Sequence, residues 1–155
     1  DYNAMNSKQL FDAILDTLEF CGMTCSSNVV NMILETACVE SNCGEYIKQL
    51  KGPACGIFQI EPNTAKDILQ HFIKYKPKLF ENYIKLINSN LTLEQNLQTN
   101  LMFQIFMCRV FYLRFEEAIP NTIKDRAAYW KKYYNTYKGK GTVEKYIKAV
   151  DKYKK

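Results

Sequence analysis

Glu40 is the residue of this sequence best suited to moving a proton. It follows Ile33 and Ala37 at helical spacing, so its carboxylate projects along the apolar stripe of a helix rather than into bulk water. Burial raises the pKa of a carboxyl group, and a carboxyl held partly neutral near neutral pH is what a general acid needs to protonate a glycosidic oxygen. Ser41 follows directly, and after a short loop comes Gly56-Ile57-Phe58-Gln59-Ile60-Glu61-Pro62-Asn63-Thr64-Ala65. A glycine permits close backbone approach, and Gln59 offers donors and an acceptor for sugar hydroxyls or an N-acetyl group. Ile57 and Phe58 supply apolar bulk beneath a cleft, and Pro62 starts a helix that fixes the loop. Taken singly, a glutamate at a helix end is an ordinary solvated or capping residue, and the segment an ordinary helix-entry turn. Their joint occurrence at short separation points to a site.

Glu40-Ser41 with the segment from Gly56 to Ala65 resembles the lytic transglycosylases and the goose-type lysozymes related to them. Their signature is a Glu-Ser pair followed by Gly-Leu-Met-Gln-x-x-Pro-x-Thr-Ala, and Gly56, Gln59, Pro62, Thr64 and Ala65 match in register. Ile57 and Phe58 replace Leu and Met. The resemblance is clear from about Glu35 to Thr64. It implies an all-α, lysozyme-like domain that cleaves peptidoglycan between N-acetylmuramic acid and N-acetylglucosamine, with Glu40 as the catalytic residue. Ser41, Gly56, Phe58, Gln59, Glu61 and Thr64 are then expected at the substrate, with no cofactor or metal. The family also has a Tyr-Asn pair whose tyrosine hydrogen-bonds the catalytic glutamate. Tyr134-Asn135 is the candidate here, with Tyr129, Tyr133 and Trp130 as alternatives, and Thr136 stands where the family commonly has glycine. Glu61 departs from the family's apolar residue. It is either a second carboxylate that activates water, as an inverting hydrolase requires, or a first-turn glutamate complementing the helix dipole. Glu45 and Asp67 are further candidates for that second carboxylate. The one assigned carboxylate favours transglycosylation.

The elements that must hold these residues read as helices. Asn6 with Gln9 resembles a capping box, opening a helix to about Phe20, and Ser26 and Ser27 open a second that carries Glu40 and ends near Ser41. Pro62 and Pro77 open a third and a fourth. Thr92 with Gln95 opens the longest apolar pattern, predicted as one central helix over about 93–115, and Thr122 and Thr142 open two more. About seven helices in a single domain over 1–155 are expected. Asp1 to Ala4 read as an appended remnant before Met5.

Composition agrees with a helical class. The 155 residues contain only 6 Gly and 4 Pro, with 47% hydrophobic residues to supply a core. The net charge of +5 is concentrated beyond Arg126 and suits an anionic polymer, whether cell wall or nucleic acid. A nucleic-acid binder does not explain the constellation from Glu40 to Thr64, so the expected partner is a peptidoglycan glycan strand rather than nucleic acid, bound by a monomer. A non-catalytic glycan-binding or virion module is the other competing class. Several of the six cysteines sit in apolar helical patterns, and their spacing lacks that of zinc knuckles, so free thiols are expected. No membrane span or signal peptide is visible. By analogy, the setting is phage lysis or a virion-associated protein acting on the bacterial cell wall.

Overall fold

Short polar residues start the helices, and apolar stripes hold them together. The computed structural model describes residues 4–155, and the remnant reading of Asp1 to Ala4 falls mostly outside them. Eight α-helices are present: α1 (Ser7–Phe20), α2 (Ser27–Ser41), α3 (Pro62–His71), α4 (Pro77–Leu86), α5 (Leu93–Thr99), α6 (Leu101–Leu113), α7 (Ile123–Trp130) and α8 (Val143–Tyr153). A 3₁₀ turn precedes α4, and a π turn over Lys131–Asn135 follows α7. No strand forms among the described residues; Cys55 alone makes isolated antiparallel bridges, to Lys48 and Ile60.

Asn6 accepts from the Lys8 and Gln9 amides at 3.0 and 3.1 Å, satisfying donors that a helix start leaves unpaired. Thr92 and Gln95 form the full reciprocal box, and Thr122 and Thr142 cap α7 and α8. Pro62 and Pro77 occupy first-turn positions, where the missing amide costs nothing.

The predicted central helix over 93–115 is two helices. Asn100 breaks it with φ −95° and ψ 95°. Its side chain accepts from the Phe103 amide at 3.2 Å and donates to Leu86 O at 2.7 Å. The apolar stripe runs unbroken through this point, but Asn100 exchanges one turn of helix for a cap on α6 and a tie to the end of α4. This break accounts for eight helices where seven are expected. What remains of the central element, α6, is buried from Phe103 to Tyr112. It shares one continuous core with α1, α2 and the buried residues of α3, α7 and α8.

α2 packs against α1, α6 and α8, and α8 also against α7. A carboxylate fixes this arrangement. Glu35, fully buried on α2, accepts from Arg126 Nε and Nη2 at 2.8 Å each, from Tyr146 Oη at 2.8 Å and from Lys154 Nζ at 2.7 Å. Burial alone would push this carboxyl up; the hydrogen bonds and charges of Arg126 and Lys154 outweigh it and hold the group below its ordinary value. One charge on α2 thereby clamps α7 and α8.

Breaking a buried ion pair by deleting one partner costs about 3–5 kcal/mol, and without Arg126 the Glu35 carboxylate keeps only Lys154 and Tyr146. Arg126→Ala is therefore expected to lower the unfolding free energy at pH 7 by about that amount. A depressed carboxyl stabilises above its unfolded pKa and loses that contribution as pH falls through the folded one. The gap between the wild type and Arg126→Ala in urea denaturation should accordingly narrow in acid.

Candidate functional site

α2 ends at Ser41 because Asn42 adopts the left-handed conformation, φ 54° and ψ 47°, a common helix terminator. Glu40 lies in this last turn, half-buried. Its Oε2 accepts from Trp130 Nε1 at 3.0 Å. Trp130 closes α7 and is itself buried, so a fixed indole aims one donor at the carboxylate. Burial pushes Glu40 from its ordinary value of 4.5 up to about 7, and the indole N–H, which favours the charged form, pulls the other way.

Two surface depressions meet at Glu40. One, of about 390 Å³, lies over Asn42, Trp130, Asn135, Lys140, Gly141 and Lys145. The other, of about 470 Å³, is walled by Tyr46, Lys48, Gln49, Leu50, Lys51 and Gln59. Each falls within the roughly 300–1,000 Å³ of small-molecule sites. Depressions of similar size occur elsewhere, one of about 410 Å³ between Met5–Lys8 and the C-terminus. What sets the pair apart is the shared carboxyl with its indole donor. Glu40 is the only carboxylate among the described residues lining either member.

The loop from Gly56 brings Gln59 to the second depression. Gly56 takes φ 79°, and a Cβ there would run into the Leu97 carbonyl and the Gln104 side chain, so only glycine fits. Gln104, on α6, accepts from the Ile57 amide at 2.9 Å. Gln59 is also left-handed, φ 52°; its side chain donates to Gly56 O at 2.9 Å and lines the second depression. On the far side Lys131 Nζ donates to Asn135 Oδ1 at 2.7 Å and to Gly139 O at 3.0 Å. Gly141 passes so close over Trp130 and Asn135 that a side chain would strike both.

Of the sequence-predicted residues, Glu40, Gln59, Asn135 and the alternative Trp130 line the depressions; the others lie behind or beside them. Ser41 is buried, donating to Ala37 O at 3.1 Å and accepting from the Gly44 amide at 2.9 Å, which closes the helix end. Phe58 is buried in the core. Tyr129 is buried with its hydroxyl on Glu117 O at 2.9 Å. Thr64 is half-buried on α3 and Glu61 exposed at that helix's N-cap. Glu45 accepts from Asn42 Nδ2 at 2.9 Å, and Asp67 faces His71 at 3.6 Å. The hydrogen bond expected from Tyr134 to Glu40 is absent: Tyr134 donates to Phe58 O at 2.6 Å, and its ring stacks on Tyr112 at 5.3 Å. Trp130, one helical turn earlier, supplies Glu40's donor instead. A tyrosine held by stacking and a backbone carbonyl has no hydroxyl proton left to offer.

Sequence reading missed the lysines on both walls and the cap of Gly139 to Gly141 over the indole. Lys140 between two glycines was the available signal. Among the described residues no cluster of His, Cys, Asp and Glu could hold a metal ion, no helix is long and apolar enough to cross a membrane, and all six cysteines are free thiols. Comparison with protein-family models, curated proteins and solved structures finds no match to the chain.

A carboxyl raised from 4.5 to about 7 makes the folded state bind more protons than the unfolded chain between those values. Its contribution is therefore intact below the unfolded pKa and lost as pH rises through the folded one. Glu40→Gln, neutral at every pH, is expected to match the wild type in urea denaturation near pH 4 and to exceed it at pH 8, by at most about 3 kcal/mol. Trp130→Phe removes the donor that favours the charged form. The carboxyl carbon of Glu40, followed by NMR titration, should then report a pKa above about 7.

Proposed function

We propose that the chain cleaves the glycosidic bond between N-acetylmuramic acid and N-acetylglucosamine in peptidoglycan, as a lysozyme-like enzyme with Glu40 as general acid and then base. The observation that carries this reading is a single half-buried carboxyl, held at about 7, at the junction of two depressions. A strand lying through both would present its linkage to a group able to give up a proton near neutral pH. The resemblance of Glu40-Ser41 and Gly56 to Ala65 to the lytic transglycosylases supports the reading. So does Thr136, which adopts φ 67° where that family commonly has glycine, the residue suited to this conformation. The site of action, on this reading, is the bacterial cell wall, as for phage lysis or virion-associated enzymes.

Glu40 would donate its proton to the leaving glycosidic oxygen as the bond to the muramoyl anomeric carbon breaks. The substrate's N-acetyl group can stabilise the positive charge, with Gln59 nearby to orient it. Glu40, now a carboxylate, would take the proton of the muramoyl hydroxymethyl group as that oxygen bonds to the anomeric carbon, leaving an anhydromuramoyl end. An inverting hydrolase instead needs a second carboxylate roughly 6.5–9.5 Å away to hold water. Glu61 and Glu45 line neither depression, which favours transglycosylation.

Digestion of purified peptidoglycan followed by mass spectrometry of the muropeptides is expected to show anhydromuramoyl ends, one water lighter than hydrolytic ends. Glu40→Gln should fold and lose at least about a hundredfold in rate. Exclusively reducing ends would overturn transglycosylation, and no release by the folded wild type would overturn the enzymatic reading.

A further inference from the structure

Lysines wall both depressions. Lys48 and Lys51 stand in one, Lys140 and Lys145 in the other, and all four are exposed. Elsewhere on the surface Lys85 is paired with Glu81 at 3.0 Å and Lys132 with Glu117 at 3.2 Å. In the depressions Lys51, Lys140 and Lys145 have no ion pair or side-chain hydrogen bond with any described residue, and Lys48 reaches only Pro53 O at 3.4 Å and Cys55 Sγ at 3.8 Å. Nothing anionic lines either wall except Glu40. Unpaired like charges gathered on the two sides of one groove repel each other and concentrate a field of one sign along it. A ligand of opposite charge relieves both.

We propose that Lys48 and Lys51 on one side of Glu40, and Lys140 and Lys145 on the other, select glycan strands that carry carboxylates on both sides of the reacting linkage. The identity of the polymer rests on the peptidoglycan reading; the charge requirement follows from the walls. An ammonium group is a compact charge on a flexible stem, which suits substituents that vary in position along a strand better than one fixed geometry. Glu40 in its neutral form does not repel such a strand, whereas its carboxylate would, so binding and proton donation favour the same protonation state. Two sources of carboxylate exist on such a polymer: the stem peptides, and the lactyl groups left ionised when those peptides are removed.

Glu40→Gln, which should bind without turnover, is the protein for the measurement. Its affinity is read for soluble peptide-bearing strands, for the same strands stripped of peptides by an amidase, and for a neutral N-acetylglucosamine oligomer of matched length. One or both carboxylate strands should bind about tenfold more tightly than the neutral oligomer, with the advantage shrinking as salt rises. Preference for peptide-bearing strands assigns the stems, and equal or better binding of stripped strands assigns the lactyl groups. Adding Lys48→Gln with Lys51→Gln, or Lys140→Gln with Lys145→Gln, should each remove part of the advantage, and all four together should abolish it. These side chains are exposed, and retained urea midpoints would show that the fold survives. Equal affinity for neutral and carboxylate strands, or an advantage indifferent to the lysines, would overturn the proposal. Turnover by the wild type is read separately. Cleavage with indifferent lysines defeats only the charge selection, whereas lysine-dependent binding without any cleavage defeats only the enzymatic reading.

Discussion

The buried carboxylate of Glu35 is the constraint on which the rest of the structure hangs. A fully buried charge is tolerable only when its partners are close and its lone pairs are used, and Glu35 meets both conditions with Arg126, Tyr146 and Lys154. Those partners sit on α7, within α8 and just beyond its end. Meeting them fixes how both helices lie against α2. Trp130, four residues along α7 from Arg126, thereby arrives where its indole reaches Glu40 at 3.0 Å. Lys145, next to Tyr146 on α8, arrives at the wall of the same depression. Five residues apart on one helix, Glu35 and Glu40 are chemically alike and titrate in opposite directions. The first has two cations at hydrogen-bond distance; the second has burial and one neutral donor. A pair of like groups driven apart in this way separates a structural charge from a usable proton.

The parts legible in the sequence are those governed by local rules. Helix starts at Asn6, Pro62, Pro77, Thr92, Thr122 and Thr142 need only one or two neighbouring residues, and each appears in place. Glu40 was legible because helical spacing relates it to Ile33 and Ala37. The break at Asn100 was hidden because the apolar stripe continues past it, while the interaction that wins is with Leu86 on another helix. Trp130 stood only as an alternative to Tyr134 as Glu40's partner, because the choice between them is made by contacts over 76 and 90 residues of chain. Glu35 gave no sign at all, since a glutamate inside an apolar helix reads the same whether it faces water or three buried donors.

Backbone cost is concentrated beside Glu40. Asn42, Gln59, Thr136 and Gly56 all have positive φ, and only the glycine does so without penalty. Thr136 is the most expensive, being β-branched in a region that side chains rarely enter. Such conformations persist where the surroundings over-determine them. Here the surroundings are identifiable: Lys131 ties Asn135 to Gly139 by donating to both, Gly141 lies against the indole, and Gln104 holds the loop at Gly56 and Ile57. The strained turns are the segments that bring Asn135 and Gln59 to the two depressions that share Glu40.

One carboxyl among four lysines also limits what the groove can do with charge. Were Glu40 an ordinary exposed carboxylate, the lysines would hold it ionised, and it would have no proton to give near neutral pH. Its burial keeps it out of that influence: the causes of its shift are burial and the indole, and no lysine is among them. The exposed cations would then be free to meet a ligand's charges without ionising the acid. On the proposed reading, separating the two functions by depth, proton below and charge recognition at the rim, would let both act on the same polymer. On the same reading, filling the groove should raise the pKa of Glu40 further and keep it protonated to higher pH, because a bound strand would displace water from the carboxyl and further penalise its charged form.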